Sequence, residues 1–396
     1  MDITMINDCY YDDYDNKENL HFDSKAVHGA LGCDPITGAV SFPIFQTATF
    51  RHREFGVSTG YNYSRLLNPT RQELERTMAI LEGGVAGFAF SSGQAANMCL
   101  FGLLKKGDHV LLSDDIYGGT FRICDEIFSQ IGAEFTYVDM GDLEAVKAAV
   151  RPSTKMLFAE TPTNPMMKVA DIAKLSEIAK KAGALLVVDN TFLTPYFQQP
   201  IALGADIVVH SGTKYLCGHN DVVAGIAVVT TPELAEHFEA QMKSRGNGLA
   251  PMDSWLVLRG IKTLPLRMQK HNENAKIVAE WLRKHPKVKK VYYVGFEDHK
   301  SFDVTISQTK GFGGMISFEL NSEETAKNLL SKVNMILFAE SLGGTESLIT
   351  YPLTQTHEST PPDVREKLGI NERFIRISIG IEDVRDIIAD LEQALA

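Results

Sequence analysis

Seven short apolar runs, at 88–90, 110–112, 135–138, 156–159, 185–188, 207–209 and 222–229, recur through the middle of the chain, with helix-length stretches among them at 95–104, 121–131, 143–150 and 172–182. Strands separated by helical lengths cannot close as hairpins. Each must cross over and return parallel to its predecessor, and a parallel sheet has to be covered on both faces. The alternation predicts one α/β domain over 61–252, entered through a helix that Asn68 and Pro69 begin, Leu74, Met78 and Leu81 anchor, and Gly83 stops. Ahead of it, 1–60 reads as an arm whose first twenty residues are acidic and aperiodic (Asp2, Asp8, Asp12, Asp13, Asp15, Glu18). After it, 253–285 reads as a long helix bent at Pro265. Strands near 288–293, 314–320, 335–338 and 374–379 and helices at 322–332 and 383–395 then predict a smaller α+β domain over 253–396.

Composition narrows the class. With 396 residues, 44% hydrophobic and 22% charged, the chain suits one large and one small domain. No run approaches 18 uninterrupted apolar residues, and the acidic N-terminus is unlike a signal peptide, so a cytoplasmic protein without membrane contact is expected. A formal charge of −11 disfavours nucleic acid as a partner. Cys9, Cys33, Cys99, Cys124 and Cys217 are odd in number and scattered, which suggests neither a disulfide framework nor a zinc site.

The stretch 205–225 carries the chemistry: a β-branched run ends in Ser211-Gly212-Thr213, which presents Lys214. Upstream, the run at 185–188 ends in Asp189. An amine and a carboxylate, each at the end of a buried strand, are what pyridoxal phosphate (PLP) chemistry requires; a structural ion pair is the competing account. Ser91-Ser92-Gly93-Gln94, between a strand and a helix, would suit a phosphate, or is a plain turn. Tyr117, after a strand ending in Asp114 and Asp115, could stack on a ring or simply pack. Asn164 sits in the rigid turn Thr161-Pro162-Thr163-Asn164-Pro165, which either aims its amide at a ring substituent or is a plain turn. If Ile375, Ile377 and Ile379 face the core, Arg376 and Ser378 share the opposite face, where an arginine could grip a carboxylate or lie at the surface. His210, His219 and His357 have no metal-ligand spacing and are read as structural.

Together the segments 61–70, 91–93, 117–120, 160–165, 187–190, 205–225, 340–348 and 376–382 resemble, over nearly the whole chain, the trans-sulfuration PLP enzymes of cysteine and methionine metabolism. The resemblance implies the aspartate-aminotransferase-like fold (fold type I), assembled as a homotetramer of dimers. It implies Lys214 as the Schiff-base lysine, Asp189 as partner of the pyridine nitrogen, and Ser92, Gly93, Ser211 and Thr213 as phosphate ligands. Tyr63 and Arg65 would complete the phosphate site of the neighbouring subunit, Tyr117 would stack on the ring, and Asn164 would approach the ring hydroxyl. Ser341 and Arg376 would hold the substrate α-carboxylate. Two departures stand out: Gln94, where many members have methionine, and Leu66-Leu67 before Asn68.

Among the reactions of this group, Gly119 stands where methionine γ-lyases have cysteine. Glu340 stands where γ-synthases and γ-lyases carry glutamate and the best-known β-lyases tyrosine. A carboxylate there could hold the distal ammonium of cysteine or cystathionine, or merely cap a strand end. The segments 51–53, 58–60, 253–255 and 350–357 look most like γ-synthase and O-acylhomoserine thiol-lyase members. The expected reaction is γ-replacement on an O-acylhomoserine by cysteine or sulfide. Cystathionine β- or γ-lysis is the alternative, and a catalytically silent binding protein the reading from another class.

Overall fold

The structure, a computed structural model, describes residues 20–30, 33–34, 36–356, 358 and 362–396, so the acidic start of the arm and His357 lie outside the described residues. The first long helix, Pro69–Glu82, begins and ends as its sequence dictates. Asn68 accepts from the amides of Thr70 and Arg71, Pro69 occupies the first turn, where its missing N–H costs nothing, and Gly83 closes the helix at φ 79°.

Seven strands form the large sheet: β1 Ala86–Phe90, β2 His109–Ser113, β3 Glu134–Val138, β4 Thr154–Glu160, β5 Leu185–Asp189, β6 Ile207–Ser211 and β7 Gly225–Val229. Their order is β1-β7-β6-β5-β4-β2-β3. From β6 to β3 all neighbours are parallel, as the alternation requires. Successive side chains of β5 and β6 enter different cores. Val187 and Val209 join Phe101, Phe158 and Phe238 on one face, whereas Leu186, Val188 and Val208 join Ile172 and Leu175 on the other. Each such aliphatic side chain contributes about 1.5–3 kcal/mol on burial.

Not every connection is a crossover. The run read at 222–229 forms a strand only from Gly225, and β7 lies antiparallel between β1 and β6. The helix-poor segment 212–224 allows the chain to double back, and the helix Pro232–Arg245 then follows unannounced. The expected bent helix is instead two, Pro251–Ile261 and Leu264–Lys284. A proline ring in mid-helix clashes with the carbonyl four residues before it. For Pro265 that residue is Ile261, where the first helix ends.

Five strands make the small sheet: β8 Val288–Tyr292, β9 Met315–Leu320, β10 Leu337–Phe338, β11 Leu348–Thr350 and β12 Phe374–Ser378, in the order β10-β11-β12-β9-β8. Ile375, Ile377 and Ile379 pack into its core with Phe318 and Ile387, which sends Arg376 to the opposite face. Strand β11 and the helices Phe302–Gln308 and Pro362–Leu368 add to what the sequence indicated. Among the described residues no helix is long and apolar enough to cross a membrane. Among the described residues the cysteines are free and no group of acid, histidine and cysteine side chains could hold a metal.

Candidate active site

Parallel strands present their C-terminal ends together, and loops leaving those ends shape a crevice. Here β4, β5 and β6 end in Glu160, Asp189 and Ser211. A cavity of about 300 Å³ opens there, lined by Ser92, Gly93, Tyr117, Asn164, Asp189, Ser211, Thr213, Lys214, Glu340, Ser341 and Arg376. Eleven of the thirteen candidates thus converge from both sheets. A larger cleft of about 530 Å³ lies along β8 and the 296–300 loop, but none of the candidates lines it. Its cations are mostly engaged: Lys168 with Asp114, Lys300 with Asp139, Arg283 with Asp298.

Lys214 rides on a tight turn after β6, in which the Gly218 amide donates to the Lys214 carbonyl at 2.8 Å. Gly218 takes φ +74°, and a Cβ there would lie 2.0 Å from Arg267 Nη1. Arg267 needs that space, because its guanidinium donates to the Tyr215 carbonyl at 2.7 Å and the Gly260 carbonyl at 2.8 Å. The ammonium of Lys214 donates to Ser341 Oγ at 2.9 Å. Burial, helped by repulsion from Arg376 and opposed by Glu340, pushes the amine down to about 8.

Asp189 pairs in register with Glu160 on one side and Val209 on the other. Its Oδ1 accepts from the Thr191 amide at 3.0 Å and the Thr191 hydroxyl at 2.5 Å. Burial raises this carboxyl above its ordinary range, while Thr191 and His210 pull it back. His210, read as structural, is buried with Nε2 2.6 Å from Glu82 Oε1, and Asn190 Nδ2 donates to the same oxygen.

Also lining the cavity, Ser92 caps the helix Gly93–Phe101, accepting from the Ala95 amide at 3.0 Å, so its own hydroxyl proton stays available. Gly93 is pressed against β6: a Cβ there would lie 3.2 Å from Ser211 Cα. Thr213 Oγ1 accepts from the Ala224 amide at 3.0 Å, which ties the lysine turn to the approach to β7.

Arg376 is 1% exposed, contrary to the default of a surface arginine. It donates to Asn164 Oδ1 at 3.0 Å, the Ser341 carbonyl at 2.9 Å and Thr350 Oγ1 at 3.1 Å, while its Nε is buried without a partner. Burial pushes it down to about 10, still charged at neutral pH. Tyr117 is 43% exposed, its ring free to face a ligand. A Cβ at Gly119 would lie 2.6 Å from Tyr117 Cε1 and 2.9 Å from Gln94 Nε2, so Gln94 and Gly119 share one space.

Tyr63 and Arg65 are the two candidates that do not line the cavity. Tyr63 is 45% exposed, and Arg65 donates to the Lys243 carbonyl and lies 5.8 Å from the Tyr63 ring. Sequence reasoning missed Asn97, Thr120, Glu160 and Thr191, which also line the cavity. Glu160 opens the matched segment 160–165 and Thr191 falls one residue beyond 187–190, so adjacency to those segments was the available signal.

A flat ring bearing a phosphate and a protonated nitrogen fits this cavity on three observations. Asp189 is half-buried and has no salt-bridge partner among the described residues, and both of its hydrogen bonds end on Oδ1, leaving Oδ2 for a cationic N–H. The bare Cα of Gly93 leaves a cradle beside Ser92 and Ser211 that a side chain would fill. Lys214 carries an amine whose basicity burial has already lowered.

The model of the Cys/Met metabolism PLP-dependent enzyme family matches residues 23–396. A cystathionine gamma-lyase of Bacillus subtilis (strain 168) is 50% identical over 369 residues, 93% of this chain and 97% of that protein. A cystathionine beta-lyase of Lactococcus lactis subsp. cremoris (strain MG1363) is 49% identical over 372 residues, 94% and 98% of the two chains. A cystathionine gamma-synthase of Mycobacterium tuberculosis (strain CDC 1551 / Oshkosh) is 44% identical over 375 residues, 94% and 96%. The crystal structure of cystathionine gamma-lyase from Lactobacillus plantarum complexed with L-serine superposes with a TM-score of 0.93 at 44% identity, covering 95% of this chain and 98% of that one. The chain therefore belongs to the Cys/Met metabolism PLP-dependent enzymes, as a pyridoxal 5'-phosphate enzyme of the cystathionine γ-synthase and lyase type.

Proposed function

We propose that the protein binds cystathionine and cleaves it by elimination. One observation carries the choice of molecule: the cavity offers recognition groups of opposite sign, the Arg376 guanidinium and the Glu340 carboxylate, both close enough to Lys214 to act on its charge. Cystathionine presents a carboxylate to the first and a distal ammonium to the second. Lysis is favoured over synthesis because the relatives near half identity bear lyase names. γ-Replacement on an O-acylhomoserine by cysteine or sulfide is the reaction expected from the sequence. That remains the second reading, favoured by the synthase relative and by a site that serves either direction.

In this reading Ser92, Gly93, Ser211 and Thr213 hold the cofactor phosphate, Asp189 the ring nitrogen and Asn164 the ring hydroxyl, with Tyr117 stacked on the ring. The bound cofactor supplies an electron sink for the pair released when the substrate loses its α-proton. The chain's own residues do the rest. Arg376 and Ser341 would fix the α-carboxylate, which would bring the α-proton within reach of Lys214 Nζ. A neutral Lys214 amine takes that proton and returns it farther along the substrate, and the Tyr117 hydroxyl is placed to protonate the departing sulfur. Glu340 keeps the distal half from swinging. Tyr63 and Arg65, outside their own chain's cavity, serve the phosphate of a neighbouring subunit, which makes a dimer the smallest active unit and fits a homotetramer in the cytoplasm.

The test supplies purified holoenzyme with cystathionine, and separately with O-acetylhomoserine plus cysteine. Pyruvate with homocysteine, or 2-oxobutyrate with cysteine, from the first mixture is the expected result. Cystathionine formed in the second mixture, with no keto acid from the first, transfers the assignment to γ-replacement.

A further inference from the structure

Glu160 has no part in the reaction drawn above, yet it is a carboxyl group only 6% exposed at the end of β4, facing the cavity. Its two oxygens are divided between two loops that come from different strand ends. Oε2 accepts from the Tyr117 amide at 3.0 Å, and Oε1 accepts from the Asn164 amide at 3.1 Å. Tyr117 is otherwise anchored through its carbonyl, which accepts from the Thr120 and Phe121 amides and starts the helix Gly118–Arg122. Fixing the N–H as well fixes the direction in which the ring leaves the backbone. Asn164 passes the constraint on, since its Oδ1 receives Arg376 Nη1. A single carboxyl thus stands two hydrogen bonds from the guanidinium and one from the stacking tyrosine.

A generic brace does not need this arrangement. The neighbouring Asp115 already ties the 163–166 turn to the end of β2, accepting from the Thr163 hydroxyl at 2.5 Å and the Met166 amide at 2.9 Å. Glu160 duplicates neither bond. It also stands in register with Asp189, with Asp115 close enough to repel it and no cation bonded to it. Burial and these two acids push Glu160 well up, against the pull of its amide donors. A buried carboxyl so placed is costly, and the positions it fixes are those of ligand-facing groups.

We infer that Glu160 is a positioning residue that aligns the Tyr117 ring and, through Asn164, the Arg376 guanidinium as one unit. The inference rests on the proposed roles of those three residues. Glu160→Gln keeps the size of the side chain but has one acceptor oxygen where two are needed, so one buried N–H loses its partner. Amide hydrogen exchange of the cofactor-free protein is the first arm. At Tyr117 or Asn164 it should quicken about tenfold or more, the loss expected for one buried hydrogen bond. This arm uses neither substrate nor cofactor, so it holds even if the lyase reading fails. In holoenzyme the visible circular dichroism of the bound cofactor should change, and KM should rise about tenfold, more than kcat falls. In an Asn164→Ala background the KM effect of Glu160→Gln should shrink to about twofold or less, because the relay is already cut. Unchanged exchange at both amides overturns the inference, as does a KM effect that adds in full to that of Asn164→Ala. Should Glu160→Gln fail to fold, Glu160→Asp, which retains two acceptors one methylene short, is read in the same way.

Discussion

The free amine of Lys214 gives the most direct physical test of the site. Its ammonium falls from 10.5 to about 8, burial being the largest cause, repulsion by Arg376 the next and attraction by Glu340 the opposing one. A shift of about 2.5 units is about 3.4 kcal/mol of preference for the neutral form. At pH 7 about one Lys214 in eleven is then neutral, some 300-fold more than for an unshifted lysine. Brief acylation of cofactor-free protein with an amine-directed reagent across pH 6.5–11, with peptide mass spectrometry, should place the Lys214 midpoint near 8, well below the bulk of exposed lysines near 10.4. Two substitutions fix the signs. Arg376→Gln removes a repelling charge and should raise the midpoint, whereas Glu340→Gln removes an attracting one and should lower it by a few tenths of a unit, since Glu340 is exposed and screened. Stability follows with a definite sign. Between pH 8 and 10.5 the native state binds fewer protons at this group than the unfolded chain, so the cofactor-free protein gains stability as pH rises through that window. A Lys214 midpoint above 10, or Arg376→Gln moving it downward, refutes the reasoning.

Three other outcomes are expected. Gly119→Cys should cost at least about tenfold in kcat/KM, because its Cβ needs the space of Tyr117 and Gln94, and adding Gln94→Ala should recover part of the loss; a single variant within twofold of wild type would count against that crowding. Gly218→Ala combines φ +74° with a Cβ 2.0 Å from Arg267, and should lower stability by about 3 kcal/mol or more and loosen the cofactor, as calorimetry and dialysis would report. Mixing inactive Tyr63→Phe and Lys214→Ala proteins should restore about a quarter of wild-type activity if subunits exchange at random and share sites, since half of the dimers then hold one intact site; verified mixed dimers without activity would remove Tyr63 from the neighbour's site.

Where the chain obeys short-range rules, its structure was legible. Asn68, Pro69 and Gly83 fixed a helix because capping and proline chemistry act over four residues. The parallel strands were evident because burial on both faces leaves uninterrupted Val, Leu and Ile runs. The reversal into β7 was not, since direction depends on what 212–224 packs against, and apolar runs look alike parallel or antiparallel. The site divided in the same way. Lys214 and Asp189 stand at strand ends and could be paired by position alone, but the burial of Arg376 depends on Asn164, Ser341 and Thr350, which only the fold brings together. Glu160 was hidden because an acid at the end of a strand reads as solvent-facing until the loops over it are placed.

The antiparallel strand has a consequence for the order in which the protein can be made. Strand β1 touches the rest of its sheet only through β7, and Gly225 sits in register with Phe90 on one edge and Ser211 on the other. A Cβ at Gly225 would lie 2.0 Å from the Ser92 carbonyl, so that glycine is where the turn after β1 and the strand β7 close on each other. During synthesis the segment bearing Ser92 and Gly93 must wait, unpaired on that side, for more than a hundred residues to leave the ribosome. Such non-local closure slows folding and leaves an apolar strand edge exposed meanwhile. If Ser92 and Gly93 hold the cofactor as proposed, truncation anywhere before Val229 should yield a polypeptide that cannot retain it.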